Sequence, residues 1–122
     1  MTDFLLDTLK QLDSYKGLID NIKKEISPLA TYGIIDENLG HFIYGLNTHL
    51  KKQIILITDN EAKARHLYED IKSLGKTNVD LLPSREIIFY DIDASSHDNR
   101  KQRLSVISKL INKEEGIIIT TV

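Results

Sequence analysis

The chain has 122 residues, of which 41% are hydrophobic and 28% charged, as is ordinary for one soluble globular domain. Its formal net charge of −2 gives no general attraction to nucleic acid or acidic membranes. The absence of cysteine excludes a disulfide scaffold, a thiolate metal site and a cysteine nucleophile. No apolar run reaches the length of a membrane span, and Asp3 and Asp7 stand where a signal peptide carries positive charge, so we predict a cytoplasmic protein.

Residues 1–26 have a helical pattern in two parts. The apolar stripes are Leu5, Leu9 and Leu12, then Leu18, Ile22 and Ile26, with a break near Tyr15, Lys16 and Gly17. We expect this N-terminal helical segment to pack on an α/β domain formed by residues 27–122. Because the final apolar strand is followed by no tail, we also expect the chain to be part of a longer protein.

The stretch after residue 28 has the order of a phosphate-binding loop. Residues 29–33 predict a strand that runs into Gly33, and an amphipathic helix begins near Asp36. A phosphate loop has the pattern GxxxxGK[ST], in which backbone N–H groups and a lysine hold the phosphates. Aligned on Gly33, this chain has Asn38, Leu39 and Gly40 in place of the second glycine, the lysine and the hydroxyl residue.

Two carboxylates, Asp36 and Glu37, occupy the same position. A carboxylate about 6 Å from a phosphate charge costs about 3 kcal/mol at an effective dielectric constant of about 20. We therefore predict a degenerate nucleotide site, in which Asp36 is the helix N-cap and Glu37 complements the helix dipole. Gly40 and Gly45, within this helix, indicate close packing of the helix on a sheet.

The remaining chain alternates between helices and strands. The predicted helices carry the stripes Leu39, Phe42, Ile43, Leu46 and Leu50; Ala64, Leu67, Tyr68, Ile71 and Leu74; and Leu104, Ile107, Leu110 and Ile111. Thr58 with Glu61 and Ser95 with Asp98 predict the caps of the last two, and Gly75 ends the second helix. The predicted strands are 53–57, buried on both faces, then 79–82, 86–90 and 117–120. This order predicts the α/β class with a mostly parallel sheet.

Four further groups of residues are candidate sites. Asp91, Asp93, His97 and Asp98 have no spacing typical of a metal site, so no metal is predicted. Arg100, Lys101 and Arg103 form a basic turn that can meet a partner, although a solvated helix face is the simpler interpretation. The histidines His41, His49 and His66 form no triad, and Tyr32, Tyr44, Tyr68 and Tyr90 are predicted core or rim aromatics. No catalytic residue is predicted.

Two long stretches, "KKQIILITDNEAKARHLYEDIKSLG" and "VDLLPSREIIFYDIDASSHDNRKQRLSVISKLINKEEGIIITTV", resemble the N-terminal region of the bacterial transcription-repair coupling factors, the Mfd family. The pieces that carry the resemblance are "NEA", "LLPSREIIFYD", Arg103-Leu104 and "IIITTV", within residues 25–122. In that family the region is similar to the first domain of the repair protein UvrB. The resemblance implies a RecA-like three-layer sandwich with a degenerate nucleotide site and no cofactor of its own.

The resemblance also implies a function for the longer protein. Full-length family members are ATP- and magnesium-dependent DNA translocases that displace RNA polymerase stalled at a lesion and recruit UvrA. Most of the surfaces for UvrA, RNA polymerase and duplex DNA lie in other domains, so this domain is expected to be a scaffold. UvrB grips damaged DNA with a long tyrosine-rich insertion; the corresponding connection here is short and contains Tyr90 alone.

Two alternatives stay open from the sequence. One is an ATPase half-domain of a DNA helicase in which the missing lysine is supplied from elsewhere. The other is a free-standing receiver-like signalling domain, for which Asp59 after "IILIT" is suitably placed, although an acidic cluster near the first strand is lacking.

Overall fold

The computed structural model describes residues 2–75, 77–83 and 93–122. Five helices and three strands follow one another in these ranges: α1 (Thr2–Lys10), α2 (Asp13–Lys23), α3 (Asp36–Leu50), β1 (Ile54–Thr58), α4 (Glu61–Leu74), β2 (Val79–Leu81), α5 (Asp93–Ile111) and β3 (Ile117–Thr121). The strands form one parallel sheet in the order β1-β3-β2. The predicted α/β class is confirmed, and the parallel sheet is consistent with a RecA-like unit.

One face of the sheet forms the main core with α3 and α4. Ile117 and Ile119 of the central strand β3 are fully buried, and they belong to the same cluster as Ile71 of α4 and Ile43 of α3. These side chains alternate along β3 with a residue on the opposite face, Ile118, as the pleat of a strand requires. The apolar stripes predicted for α3 and α4 are therefore confirmed as core-facing.

The opposite face of the sheet carries α5. Ile118 pairs in register with Asp80 of β2, and the Nζ atom of Lys109 on α5 lies 2.8 Å from Oδ2 of Asp80. Val106 of α5 is almost completely buried. Helices thus lie on both faces, which makes three layers.

The exposure of β1 and α5 differs from the prediction. Ile55 and Ile57 of β1 are 53% and 61% exposed, so this strand is not buried on both faces. Leu104, Ile107 and Ile111 of α5 are also exposed, by 68%, 38% and 75%. The Gln102 and Lys109 side chains of α5 reach β2, and the Lys109 carbonyl accepts a hydrogen bond from Gln53, directly before β1. Helix α5 thus contacts both sides of the sheet but leaves Ile55 and Ile57 exposed.

The N-terminal helices also differ from the prediction. The break lies at residues 11–12, whereas Tyr15, Lys16 and Gly17 are inside α2. The buried side chains are Leu6, Tyr15 and Ile19, while Leu5, Leu12 and Ile26 of the predicted stripes are exposed. Gly17 lies within α2 on an open side of the helix, with no atom within 4 Å of a Cβ at that position.

Residues 29–33 do not form the predicted strand. Leu29 and Tyr32 are exposed, and this stretch pairs with no strand among the described residues. A strand needs a neighbour to satisfy its backbone groups, and among the described residues neither edge of the sheet β1-β3-β2 pairs with residues 29–33. The predicted strand 86–90, with Tyr90, lies outside the described residues.

Three predicted helix caps are also wrong. Ile35 is the N-cap of α3 and makes no side-chain capping bond, so Asp36 is the first helical residue. Asn60 caps α4 by accepting a bond from the Lys63 N–H at 2.8 Å, whereas Thr58 lies in β1. Ser95 lies within α5. The predicted end of α4 at Gly75 is confirmed.

No helix of the described residues is both long enough and apolar enough to span a membrane.

Candidate functional site

The region predicted as a degenerate phosphate loop lies at the start of α3. Gly33 has a positive φ of 80°, and the extended segment after it ends at Ile35, where α3 begins. The Asp36 carboxylate lies 3.5 Å from Nζ of Lys63 on α4, and Glu37 shares the first turn of the helix. Both carboxylates are placed where they interact favourably with the helix dipole. The degenerate nucleotide site itself stays a prediction.

The glycines of α3 contact other helices, whereas the sequence predicts close packing on the sheet. A Cβ on Gly40 would lie 3.2 Å from Cβ of Asp70 on α4. A Cβ on Gly45 would lie 2.6 Å from Cδ1 of Leu9 and 3.2 Å from the hydroxyl of Tyr15. Gly40 and Gly45 therefore let α3 approach α4 on one side and the N-terminal helices on the other.

A cavity of about 160 Å³ lies at the carboxyl ends of β2 and β3, beside the first turn of α4. It is lined by Glu61, Ala64, Arg65, Leu81, Leu82, Pro83, Asn99 and Thr121. Ligands of parallel α/β sheets bind at this edge. However, one guanidinium and one carboxylate supply no net positive charge for a polyphosphate, and typical ligand pockets measure about 300–1,000 Å³. The sequence pattern does not reveal this cavity, because its residues come from four separate elements.

The three basic residues predicted as a possible partner contact all lie on α5 but differ in environment. Arg100 and Lys101 are exposed. Arg103 is half-buried, and its Nη1 donates a hydrogen bond to the Pro83 carbonyl at the end of β2. Only Arg100 and Lys101 of this group are thus fully available to a partner.

Of the four residues for which the sequence predicts no metal site, Asp91 and the side chains of Asp93 and His97 lie outside the described part of the chain, and Asp98 is exposed on α5. Asp59 follows β1 directly and is exposed. In the described ranges, no three histidine or acidic side chains form a group that could hold a metal ion. Asp59 therefore lacks, among these residues, the acidic neighbours that a receiver-like phosphorylation site uses to bind magnesium.

The histidines serve in contacts between helices and within them. Nε2 of His41 donates to the Leu5 carbonyl at 2.7 Å and so joins α3 to α1. Nδ1 of His66 lies 3.4 Å from Asp70 within α4. Nδ1 of His49 lies 2.6 Å from the hydroxyl of Tyr15, which joins α3 to α2.

The Tyr15–His49 pair is the most buried polar contact between the N-terminal helices and α3. The ring of Tyr15 packs edge-on against His49 and Phe42, with centroids 5.6 and 6.0 Å away. Nε2 of His49 is buried and has no hydrogen-bond partner in the described part of the chain. Burial raises the pKa of Tyr15 to about 12. The sequence pattern does not reveal this pair, because the helix break that it predicts falls at Tyr15.

We expect the stability of this contact to depend on pH. Burial lowers the pKa of His49 below its ordinary value. The positive charges of Lys10 and Lys23 also lower this pKa, whereas the negative charge of Asp7 raises it. His49 therefore binds a proton more readily in the unfolded chain than in the folded chain. The free energy of unfolding is thus highest above about pH 6.5 and declines as pH falls below that value. Thermal unfolding between pH 8 and pH 5.5 measures the decline. His49→Gln, which still accepts the Tyr15 bond but does not titrate, is expected to flatten it.

His66→Gln is the matched control, because His66 is mostly exposed. That variant is expected to keep the pH dependence of the unmodified chain. An equal flattening by both variants would contradict a special role for His49.

The described elements define a class of protein: an α/β domain with a parallel sheet between helices, of the kind from which RecA-like units are built. The chain is 30% identical over 115 residues to the transcription-repair-coupling factor of Bacillus subtilis (strain 168). The match covers 93% of this chain but 10% of that protein, so the chain spans about one tenth of the length of this relative. No protein-family model and no solved structure matches it. The chain is thus a domain related to one segment of a transcription-repair-coupling factor.

Proposed function

We propose that this chain is a non-catalytic domain of a transcription-repair coupling factor. The observation that carries the proposal is the 30% identity to such a factor over 93% of the chain. The complete protein would use ATP and magnesium to displace RNA polymerase stalled at DNA lesions and would recruit UvrA for nucleotide-excision repair. The proposal implies a cytoplasmic location.

Within that protein, this domain acts as a scaffold that positions a neighbouring UvrA-binding domain and helps restrain the motor. Two features support a role without nucleotide chemistry. The first turn of α3 presents Asp36 and Glu37, with Asp36 beside Lys63, and none of the three phosphate-loop residues is present. The cavity at the strand ends carries no net positive charge from Glu61 and Arg65. Contacts to RNA polymerase and duplex DNA would come from other domains.

The scaffold role predicts a difference in UvrA binding. We expect residues 1–122 alone to bind UvrA weakly or not at all, and a longer polypeptide that continues into the next domain to bind well. The physical reason is that tight interfaces depend on a few aromatic or arginine anchors that become buried. Tyr15, Tyr44 and Arg103 are engaged within the chain. The exposed Phe4, Tyr32 and Arg100 lie apart in sequence, on α1, the segment before α3 and α5. Isothermal calorimetry with both polypeptides measures the difference.

Equal binding by the two polypeptides would contradict the scaffold role and would show that this domain itself docks UvrA. An Arg100→Ala/Lys101→Ala variant would then test the exposed basic residues. A titration of the same chain with Mg-ATP tests the alternative of an ATPase half-domain. We expect no binding, and a sub-millimolar dissociation constant would favour that alternative.

A further inference from the structure

Helices α1 and α2 lie together on the outer side of α3, and we call these two helices the N-terminal lid. Their main contacts are with each other and with α3, whereas α3 also packs on α4. Residues 24–35, which connect the lid to α3, form no helix or strand and are mostly exposed. Within this connection, Gly33 has a positive φ of 80°, with no atom within 4 Å of a Cβ at that position. The lid can therefore leave α3 without breaking the pairing of the strands.

The lid contacts α3 at a glycine that has aromatic side chains beside it. A Cβ on Gly45 would lie 2.6 Å from Cδ1 of Leu9 on α1 and 3.2 Å from the hydroxyl of Tyr15 on α2. The ring of Tyr15 also packs edge-on against Phe42 and His49 of α3. Opening of the lid would therefore uncover Phe42, Gly45 and His49.

Two histidines of α3 bond to the lid, and protonation affects them differently. Nε2 of His41 must donate to the Leu5 carbonyl, because a carbonyl only accepts, so this bond is the same in neutral and protonated His41. Nδ1 of His49 bonds to the Tyr15 hydroxyl, whereas its buried Nε2 has no partner in the described part of the chain. A protonated His49 has an N–H on both nitrogens. The Tyr15 oxygen can accept one of them, and the other finds no acceptor among these residues.

The charges that act on His49 come from the lid itself. They are Lys10 and Asp7 on α1 and Lys23 on α2. The Asp7 carboxylate also lies 4.0 Å from Nζ of Lys10, so the two lysines outweigh it. A second positive charge on His49 is therefore opposed both by burial and by its neighbours while the lid is closed. In the open lid, water hydrates the ring and the lysines are no longer held beside it.

We propose that the N-terminal lid opens from α3 as one unit while the sheet stays folded, and that protonation of His49 favours the open form. Above about pH 6.5 His49 is neutral in both forms, so the closed form has its full stability. Below that pH the open form takes up a proton that the closed form resists. The ratio of open to closed lid then rises by up to about tenfold per pH unit, until His49 also titrates in the closed form. This inference does not depend on the proposed function.

Hydrogen exchange of the backbone amides, followed by NMR on the 122-residue chain, measures the opening. We expect amides in the interiors of α1 and α2 to share one protection factor, at least about tenfold smaller than that of the central strand β3. The reason is that lid opening exposes these amides while β3 remains paired. After correction for intrinsic exchange rates, the shared protection factor is expected to be constant from pH 8 to about pH 6.5 and to fall between pH 6.5 and pH 5.5.

Two histidine variants test the role of His49. His49→Gln still offers an acceptor to the Tyr15 hydroxyl but does not titrate, so we expect the protection factor of the lid to become independent of pH in this range. His41→Gln is the matched control in the same interface, because an amide can still donate to the Leu5 carbonyl. This variant is expected to keep the pH dependence of the unmodified chain. The NMR titration of the His49 ring in the unmodified chain gives its folded-state pKa without any substitution.

Gly45→Ala tests the lid at a constant pH of 8. The added methyl group would press on Leu9 and Tyr15, so we expect the protection factor of α1 and α2 to fall at least about fivefold. The protection factor of β3 is expected to fall less, because alanine favours the helical form of α3 whether the lid is open or closed.

Three results would overturn the proposal. Equal protection of α1, α2 and β3 in the unmodified chain would mean that the lid opens only when the whole domain unfolds. A pH dependence that His49→Gln leaves intact, or that His41→Gln removes equally, would assign the effect to another group. A folded-state pKa of His49 at or above 6.5 would mean that the closed lid does not resist protonation.

Discussion

Replacing Ile119 with alanine is expected to lower the free energy of unfolding by about 2–5 kcal/mol. Ile119 is fully buried on the central strand β3, in the cluster that contains Ile71 and Leu67. The substitution removes apolar area from the core and leaves a cavity that the flanking strands β1 and β2 cannot close without losing their pairing. Because a domain has about 5–15 kcal/mol in total, this single change would remove a large part of it.

Urea unfolding followed by circular dichroism in dilute solution measures this loss. Ile57→Ala on β1 is the matched control, since Ile57 has the same side chain in the same sheet but is mostly exposed. We expect a change within about 0.5 kcal/mol, as for other surface substitutions. A loss as large as that of Ile119→Ala would mean that the β1 face is buried, in conflict with the exposure of Ile57.

The arrangement of strands and long helices was predictable from the sequence because these elements bury continuous or strongly periodic apolar residues. The stripe of α4 and the final strand are examples: Ile71 and Ile117, both placed in the core by pattern, are fully buried. The degree of burial on β1 was not predictable. A run such as Ile54–Ile57 is apolar on both faces whether or not a helix covers the second face, so only the tertiary position of α5 distinguishes the two cases.

Local errors have a different physical origin. Leu29 and Tyr32 have strand-forming side chains, but a strand exists only where another strand accepts its backbone bonds, and sequence pattern does not show the neighbour. Thr58 fits a capping box by spacing, yet β1 extends through it and Asn60 provides the cap. Thr58 could by its sequence either continue β1 or cap α4. It continues the strand because β1 pairs with β3, whose residues lie more than sixty positions later in the sequence.

The candidate sites were predictable only where one segment supplies all residues. Asp36 and Glu37 do lie together in one helical turn, and Arg100 and Lys101 lie on one helix, as their spacing indicates. The cavity at the strand ends and the Tyr15–His49 contact join residues from separate elements. Their geometry depends on how the helices pack, which periodicity does not determine.

Gly116 is expected to be the position at which the smallest substitution has the largest cost. It has a positive φ of 152°, a region that residues with a side chain rarely adopt, and it directly precedes the central strand β3. A Cβ at this position would lie 2.7 Å from the backbone oxygen of Asn78. That oxygen accepts the Ile117 N–H at 2.8 Å and cannot move away without breaking the start of the β2–β3 pairing.

The Gly116 carbonyl has partners as well, which limits any shift of the glycine itself. It accepts hydrogen bonds from the Ile54 N–H at 2.9 Å and from Nδ2 of the buried Asn47 at 3.3 Å. A displaced Gly116 would therefore loosen the pairing of β1 and remove one hydrogen bond of the Asn47 amide. That amide would keep only its bond to the Lys52 carbonyl, at 2.8 Å.

Gly116→Ala is consequently expected to lower the free energy of unfolding by about 2–5 kcal/mol, from backbone strain together with overpacking. Gly17→Ala is the control, because it makes the same chemical change at a position where a Cβ has free space. Because no atom lies within 4 Å of a Cβ at residue 17 in the interior of α2, alanine should stabilise the chain there by up to about 1 kcal/mol. Urea unfolding of both variants should thus give effects of opposite sign, and a neutral Gly116→Ala would show that the approach of Asn78 to residue 116 is not constrained.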